Sequence, residues 1–446
     1  MRSVALVLMF SAALSAQSDG AVVSGRALDP DGRPVARAQV QLLSAAYMGG
    51  RKRLFLRAAA TTNALGEYRL AGLPPRTYYL SVTDPNGTPI YGGSSQPEYD
   101  AAGGPAYATT FYPGVTDFAA AVPLDVPVGG SLQAIDVRMV KARTVRVGGR
   151  LLGAADVQIA SVKLVPRDLG VPAPPFAPSR AGAFEIRGVS PGRYFLVAGA
   201  QDGKGQFLSG RAPIAVGQQN IDNESVALFP LIGLSGTIRV EGADPALPPS
   251  LHLMLAPREK EAIFSYSGIS VDPIPIATIH PDGSFRIEDA CRDTYMVQFD
   301  AGFYVKSFQV AGAEQPVPVL DLTHGAPGDI AIVLARDLPR VSGTVLDPQT
   351  GRPAANAQVV LVPREPERRD LQGFYPSAWS NVLGQFRISG PPGKYQAFAW
   401  LGIETMAYLD PDFLKPFESK GVPVEAPPGA RLNLQLKAIR PEAVGR

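Results

Sequence analysis

A chain of 446 residues with a formal net charge of +2 and 46% hydrophobic residues is too long for one ordinary core and fits several domains, each able to fill its own. That charge gives no reason to expect nucleic acid or an anionic membrane surface as a partner. Glycine (46) and proline (43) make up about a fifth of the chain. This lies above the average of roughly 12% but below the roughly 25–30% of disordered chains, a composition that turn-rich β structure absorbs.

Residues 1–18 read as a secretory signal. Arg2 supplies the positive end, Val4 to Leu14 the apolar run, and Ala13-Leu-Ser-Ala16 the small-residue cleavage region. The run is too short to span a bilayer, and no later stretch approaches 18 apolar residues, so no membrane span is expected. Cys291 is the single cysteine, which rules out an intramolecular disulfide and leaves packed cores to hold an exported chain together. The expected location is the periplasm, the outer cell surface or the medium.

Three elements then recur four times. An opening strand reads Val23-Ser-Gly-Arg-Ala-Leu28, Val147-Gly-Gly-Arg-Leu-Leu152, Leu234-Ser-Gly-Thr-Ile-Arg239 and Val341-Ser-Gly-Thr-Val-Leu346. A strand-turn-strand element follows, running from Gly66 to Tyr78, Gly182 to Tyr194, Gly283 to Tyr295 and Gly384 to Tyr395. Its glycine suits a positive φ. The next aromatic and the aliphatic two residues on (Tyr68 and Leu70, Phe184 and Ile186, Phe285 and Ile287, Phe386 and Ile388) share one strand face. The glycine-to-tyrosine spacing is 12 residues in three copies and 11 in the fourth, so Tyr78, Tyr194, Tyr295 and Tyr395 should occupy one structural position, as in the tyrosine corner of immunoglobulin-like sandwiches. An alternating strand closes each copy, from Ile135 to Met139, Ser225 to Phe229, Ile330 to Leu334 and Leu432 to Leu436.

The spacing therefore predicts an all-β array of four immunoglobulin- or transthyretin-like β-sandwiches over 20–143, 144–231, 232–338 and 339–440, each near the ~100 residues of such a sandwich. Almost no helix is expected. The one helical turn should start at Asp410, with Asp410 as cap and Pro411 in the first helical position. Two insertions depart from the pattern. Residues 84–120 carry Tyr91, Tyr99, Tyr107, Phe111 and Tyr112, and residues 363–380 carry Phe374, Tyr375 and Trp379. Loops of this length in compact domains are functional or disordered.

The pairing of Val-Ser-Gly-x-Val/Ala-Leu-Asp-x-x-Gly-x-Pro with Gly-x-Phe/Tyr-x-Ile/Leu-x-Gly-x-Pro-Pro/Gly-x-Tyr resembles bacterial exported proteins with carboxypeptidase regulatory-like domains. These are sandwiches related to transthyretin, Cna-B repeats and the carbohydrate-binding-like fold. Units one and four carry the resemblance best. Unit three departs from it, with Glu288-Asp-Ala-Cys-Arg-Asp293 in place of the Gly/Pro turn. The motif speaks for fold and hardly for function. Some Cna-B relatives lock their strands with a Lys–Asn isopeptide bond. The corresponding strands here hold Arg26, Arg150, Arg239 or no basic residue, and a protonated guanidinium is no nucleophile.

No catalytic constellation stands out. The histidines His252, His280 and His324 lack zinc-ligand spacing, and no Gly-x-Ser-x-Gly elbow, phosphate loop or dinucleotide motif occurs. No enzyme activity, cofactor or metal is expected. Asp282, Glu288, Asp289 and Asp293 offer oxygen ligands, but without the spacing of a calcium loop they read as solvated turn acids. The basic run Arg51-Lys-Arg53 with Arg57 reads as exposed hairpin decoration. The best binding candidates are the unit-four aromatics Tyr375, Trp379, Trp400 and Tyr408, forming one shallow patch with Glu404 and Asp410 at its edge. Flat aromatic faces stack on sugars or clamp peptide; Trp400, in an alternating strand, could equally fill the core. The expected function is a non-enzymatic exported binding or adhesion module for extracellular polysaccharide or an envelope protein. The alternatives are a passive structural spacer and, third, a hydrolase accessory protein. Exposed clustered aromatics would favour binding, and buried ones the spacer.

Overall fold

A computed structural model describes residues 20–48, 51–83, 106–142, 144–153, 157–170, 177–179, 182–242, 246–258, 274–299, 302–404 and 406–441. Residues 1–18, read above as a secretory signal, and most of the first insertion, including Tyr91 and Tyr99, lie outside these residues. The described chain is all-β, with short 3-10 or α turns only, the longest being Lys415–Lys420.

One pattern generates every sandwich. The opening strands Ala21–Leu28, Val145–Leu152, Ile232–Glu241 and Arg340–Leu346 each pair antiparallel with the Gly-aromatic strands Glu67–Leu73, Ala183–Val189, Ser284–Ala290 and Gln385–Ser389. On their other side they pair parallel with the closing segments, through Val137–Arg138, Ile221–Ala227, Ile330–Ala335 and Arg431–Lys437. The register is the same each time: Gly25 lies opposite Tyr68, Gly149 opposite Phe184, Gly236 opposite Phe285 and Gly343 opposite Phe386. The two sequence motifs are thus the two halves of a cross-strand pair. A Cβ at the opening-strand glycine would fall on the carbonyl oxygen of the parallel neighbour (Ile135, Glu224, Ile330 or Leu434), and in three copies also on the opposed phenylalanine ring. Only glycine lets ring and neighbouring backbone close over that point.

The glycine before the aromatic also repeats its geometry. Gly66, Gly182, Gly283 and Gly384 have φ of 71°, 74°, 84° and 70°. Their carbonyls accept from the N–H of Ala27, Leu151, Ile238 and Val345 at 2.7–2.8 Å. From there the strands alternate exposed and buried, as a period-two strand with one wet face must.

The second sheet of each sandwich pairs the tyrosine-bearing strand with the strand after the opening one: Arg76–Thr83 with Gln39–Met48, Gly192–Asp202 with Val157–Pro166, Thr294–Phe299 with Leu253–Pro257, and Gly393–Trp400 with Gln358–Pro363. Single apolar cores fill the space between sheets, such as the one built on Val147, Val162, Phe184, Tyr194 and Leu196 and its counterpart on Val341, Val359, Phe386, Tyr395 and Ala397. In the third sandwich Tyr304–Val310 crosses to the first sheet, which grows to six strands. By packing, described residues up to 44 with 56–83 and 109–141 form one compact unit. Residues 45–55, 106–108 and those from 142 onward form another.

Candidate functional site

The four equivalent tyrosines sit at the entry to the second sheet, each buried with no more than 2% exposure. Each hydroxyl donates to the carbonyl four residues upstream: Tyr78 to Pro74 at 2.8 Å, Tyr194 to Ser190 at 2.8 Å, Tyr295 to Cys291 at 3.1 Å and Tyr395 to Pro391 at 2.6 Å. The bond clips the turn to the strand that follows it. Burial pushes the Tyr395 phenol up to about 12 and that of Tyr194 further still, because a phenolate there would lose its hydration. These tyrosines hold turns and present nothing to a ligand.

The aromatic patch expected on the fourth sandwich is a second hydrophobic core. Residues of the Gly393–Trp400 strand alternate between two buried faces. Tyr395, Ala397 and Ala399 point between the sheets, while Phe398 and Trp400 point outward with Val360 and Val362 of the neighbouring strand. That outer face is roofed by a strap: a 3-10 turn Ala407–Leu409, an α-helical turn Pro411–Leu414 and the 3-10 helix Lys415–Lys420. Trp400 is 0% exposed. Its ring stacks on Phe398 at 4.8 Å and meets Phe413 and Phe417 at 5.8 and 6.1 Å. Tyr375 and Tyr408 are buried beside it with ring centroids 6.3 Å apart. The Tyr375 hydroxyl donates to the Arg369 carbonyl at 2.7 Å, and the Tyr408 hydroxyl lies 3.3 Å from the Ser377 hydroxyl. Burial raises the Tyr375 phenol to about 12.

Three of the four aromatics assigned to binding, Tyr375, Trp400 and Tyr408, are therefore corrected to packing residues: large rings are worth most when taken out of water on both faces. Asp410 is corrected too. Its carboxylate accepts from the Asp412 N–H at 2.9 Å and caps the helical turn that Pro411 begins, the turn read from the sequence. Glu404 is exposed, with its carboxylate 3.8 Å from the Lys52 ammonium. Trp379 alone remains outside, 56% exposed at the end of the edge strand Ser377–Trp379. It faces Gln358, which on its other side faces Trp400. The single row thus runs from an exposed indole at the sheet edge to a buried one under the strap. Sequence reasoning missed the strap as a roof. The signal was the unbroken apolar run from Ala397 to Leu401, which a strand with one wet face would not carry.

The insertion 363–380 holds a short helix Pro366–Arg369. Its Arg368 donates to the Pro392 carbonyl at 2.7 Å, and its Arg369 to the Pro363 carbonyl at 3.2 Å and the Glu418 carboxylate at 3.1 Å. These bonds tie insertion, tyrosine turn and strap together. Of the basic run, Arg57 donates to the Ser44 hydroxyl at 2.6 Å. Of the third-sandwich acids, Asp282, Glu288 and Asp289 are exposed, as solvated turn acids should be, and only Asp293 departs from that reading. Asp282 accepts from the backbone and hydroxyl of Ser284, which hold its carboxyl below the usual range, and Asp293 is ion-paired with Arg211. Cys291 is buried. Among the described residues no group of three or more His, Cys, Asp or Glu side chains is placed to hold a metal ion, and no helix is long and apolar enough to cross a membrane.

Residues 22–94 match the family model of the carboxypeptidase regulatory-like domain, the resemblance carried by the paired glycine and aromatic motifs. The same strand pairing recurs in the fourth sandwich, outside the matched residues. No curated protein matches the chain. Among solved structures it is similar to a streptococcal ancillary pilin at 12% identity, over 67% of this chain and 100% of that one, with a TM-score of 0.22. It is similar also to the full-length RrgB pilus protein of Streptococcus pneumoniae at 9% identity, over 96% and 100%, with a TM-score of 0.20. The GBS52 minor pilin of Streptococcus agalactiae matches at 12% identity, over 48% and 100%, with a TM-score of 0.21.

Proposed function

We propose that this chain is a non-enzymatic, exported array of four β-sandwiches, over 20–143, 144–231, 232–338 and 339–440, that serves as a structural spacer at a bacterial cell envelope. The observation that carries the reading is the burial of Tyr375, Trp400 and Tyr408 in a second core. The side chains best suited to stacking on a sugar or clamping a peptide are spent on holding the fourth sandwich together. The leader-like residues 1–18 support export.

A weaker binding reading rests on Trp379, whose exposed indole offers one stacking face. One such contact is worth roughly 1 kcal/mol, so retention on a polymer would need several sites acting together. Passing the purified protein and its Trp379→Ala variant over immobilised envelope polysaccharide separates the two. The spacer reading expects neither to be retained. Retention of the wild type, lost in the variant, would put the binding reading first.

A further inference from the structure

The turn of the third sandwich is where the repeated Gly/Pro pattern breaks, and Glu288-Asp-Ala-Cys-Arg-Asp293 stands in its place. We propose that this replacement is a latch that fixes the second sandwich to the third. Asp293 reaches back to Arg211 in the strand Phe207–Val216 of the second sandwich. One guanidinium nitrogen donates to the Asp293 carboxylate at 3.0 Å and another stands 2.9 Å from its second oxygen, so a charge-assisted hydrogen bond, the stronger kind, is joined to a close ion pair. The Asp293 carboxylate also accepts from the Thr294 N–H at 2.7 Å, which sets its direction.

The pair is desolvated, its side chains only 21% and 12% exposed. The Arg211 guanidinium also lies 4.4 Å from the centroid of Phe195, and the guanidinium of Arg167 stands at the same distance from that ring. Two cations share one aromatic, and Asp293 of the next sandwich brings the compensating charge. The contact is returned from the other side: Arg292, beside Asp293 in the same turn, lies 4.1 Å over Phe229, at the end of the second sandwich. A turn of Gly and Pro could supply neither the carboxylate nor the cation.

The junction between the third and fourth sandwiches is a useful contrast. Its ion pair, Arg258 with Asp370 at 3.1 Å, is 45% and 67% exposed, and solvent and salt weaken such a pair. A buried pair behaves otherwise, because removing one partner strands a charge in a poorly hydrated place. The latch therefore makes the second and third sandwiches one body.

The test places spin labels at Lys204→Cys in the second sandwich and Ala313→Cys in the third, both exposed, on a Cys291→Ser background. Pulsed dipolar spectroscopy then reads the distance between them. A narrow distribution is expected in the otherwise wild-type chain. It should be lost in Arg211→Ala and in Asp293→Asn, the latter keeping the shape of the turn and an acceptor for Thr294. Arg258→Ala should leave it narrow. Far-UV circular dichroism of each variant establishes that the sandwiches remain folded. A distribution that stays narrow in folded Arg211→Ala and Asp293→Asn, or that is already broad in the parent, would overturn the latch.

Discussion

The second and fourth sandwiches share their first sheet, the clipped tyrosine and the register of the strand that follows it, yet they finish that strand in opposite ways. After Tyr194 the outward positions are Phe195, Val197 and Gly199; after Tyr395 they are Gln396, Phe398 and Trp400. The second sandwich turns back at once through a tight Asp202–Gln206 loop, and its next strand pairs along ten residues. The fourth runs out into the strap and returns only at Val422–Ala426. Where the strand carries a glycine on its outer face, a hairpin suffices. Where it carries a tryptophan, some 20 residues of chain are laid over it. The strap and the ring imply each other, and the outer face rather than the shared core sets the length of the connection.

The largest expected effect breaks this comparison at Trp400. Trp400→Ala removes the ring on which the strap rests and should cost about 3–5 kcal/mol, measured by denaturant unfolding of the fourth sandwich. The second sandwich, which has Gly199 at the matching position, should unfold as before. A loss below about 1 kcal/mol would mean that the strap is held by its polar ties, such as Arg369 with Glu418, and not by the core.

A difference at high pH sharpens it. The second sandwich contains one tyrosine, Tyr194, whereas the fourth contains three, of which Tyr375 and Tyr395 are raised to about 12. A phenol with a folded value above its unfolded one near 10 gives stability that is whole below pH 10 and lost as pH rises toward 12. For Tyr395 the amount is of order 3 kcal/mol. Unfolding free energies measured from pH 9 to 12 should fall over that window, and less steeply in Tyr395→Phe. A variant with an unchanged slope would remove Tyr395 from the account.

The smallest effect concerns the strap alone. Asp410→Ala deletes the cap of its helical turn and should cost about 1 kcal/mol, read by denaturant unfolding. Asp410→Asn should recover most of it, since an amide oxygen can accept the same N–H.

Much of this fold is legible in the residues. The glycine and aromatic motifs carry their register within them, because the glycine sits opposite the ring where the parallel neighbour's backbone closes in, and the near-constant spacing puts each tyrosine within reach of the carbonyl four residues back. The helical turn at Asp410 is legible for the same local reason: cap and proline act within one turn. What a local reading cannot supply is the partner of an outward side chain. Trp400, Tyr375 and Tyr408 look like ligand contacts until the strap is seen to cover them, and Asp293 looks like a solvated acid until Arg211 arrives from 82 residues away. Long-range partners are set by topology, which neither alternation nor turn chemistry encodes.

The parallel pairing of first and last strands has a consequence for synthesis. Gly343 cannot meet Leu434, nor Gly236 meet Ile330, until some 90 further residues have left the ribosome. At 5–20 residues per second each opening strand stays without one of its two neighbours for roughly 5–20 s, while the next glycine-aromatic strand, equally suited to pair with it, is still unmade. Translation thereby presents the four near-identical pairs one at a time. A chain refolded whole from denaturant would offer all four at once and should trade strands between copies, a hazard that the order of manufacture removes.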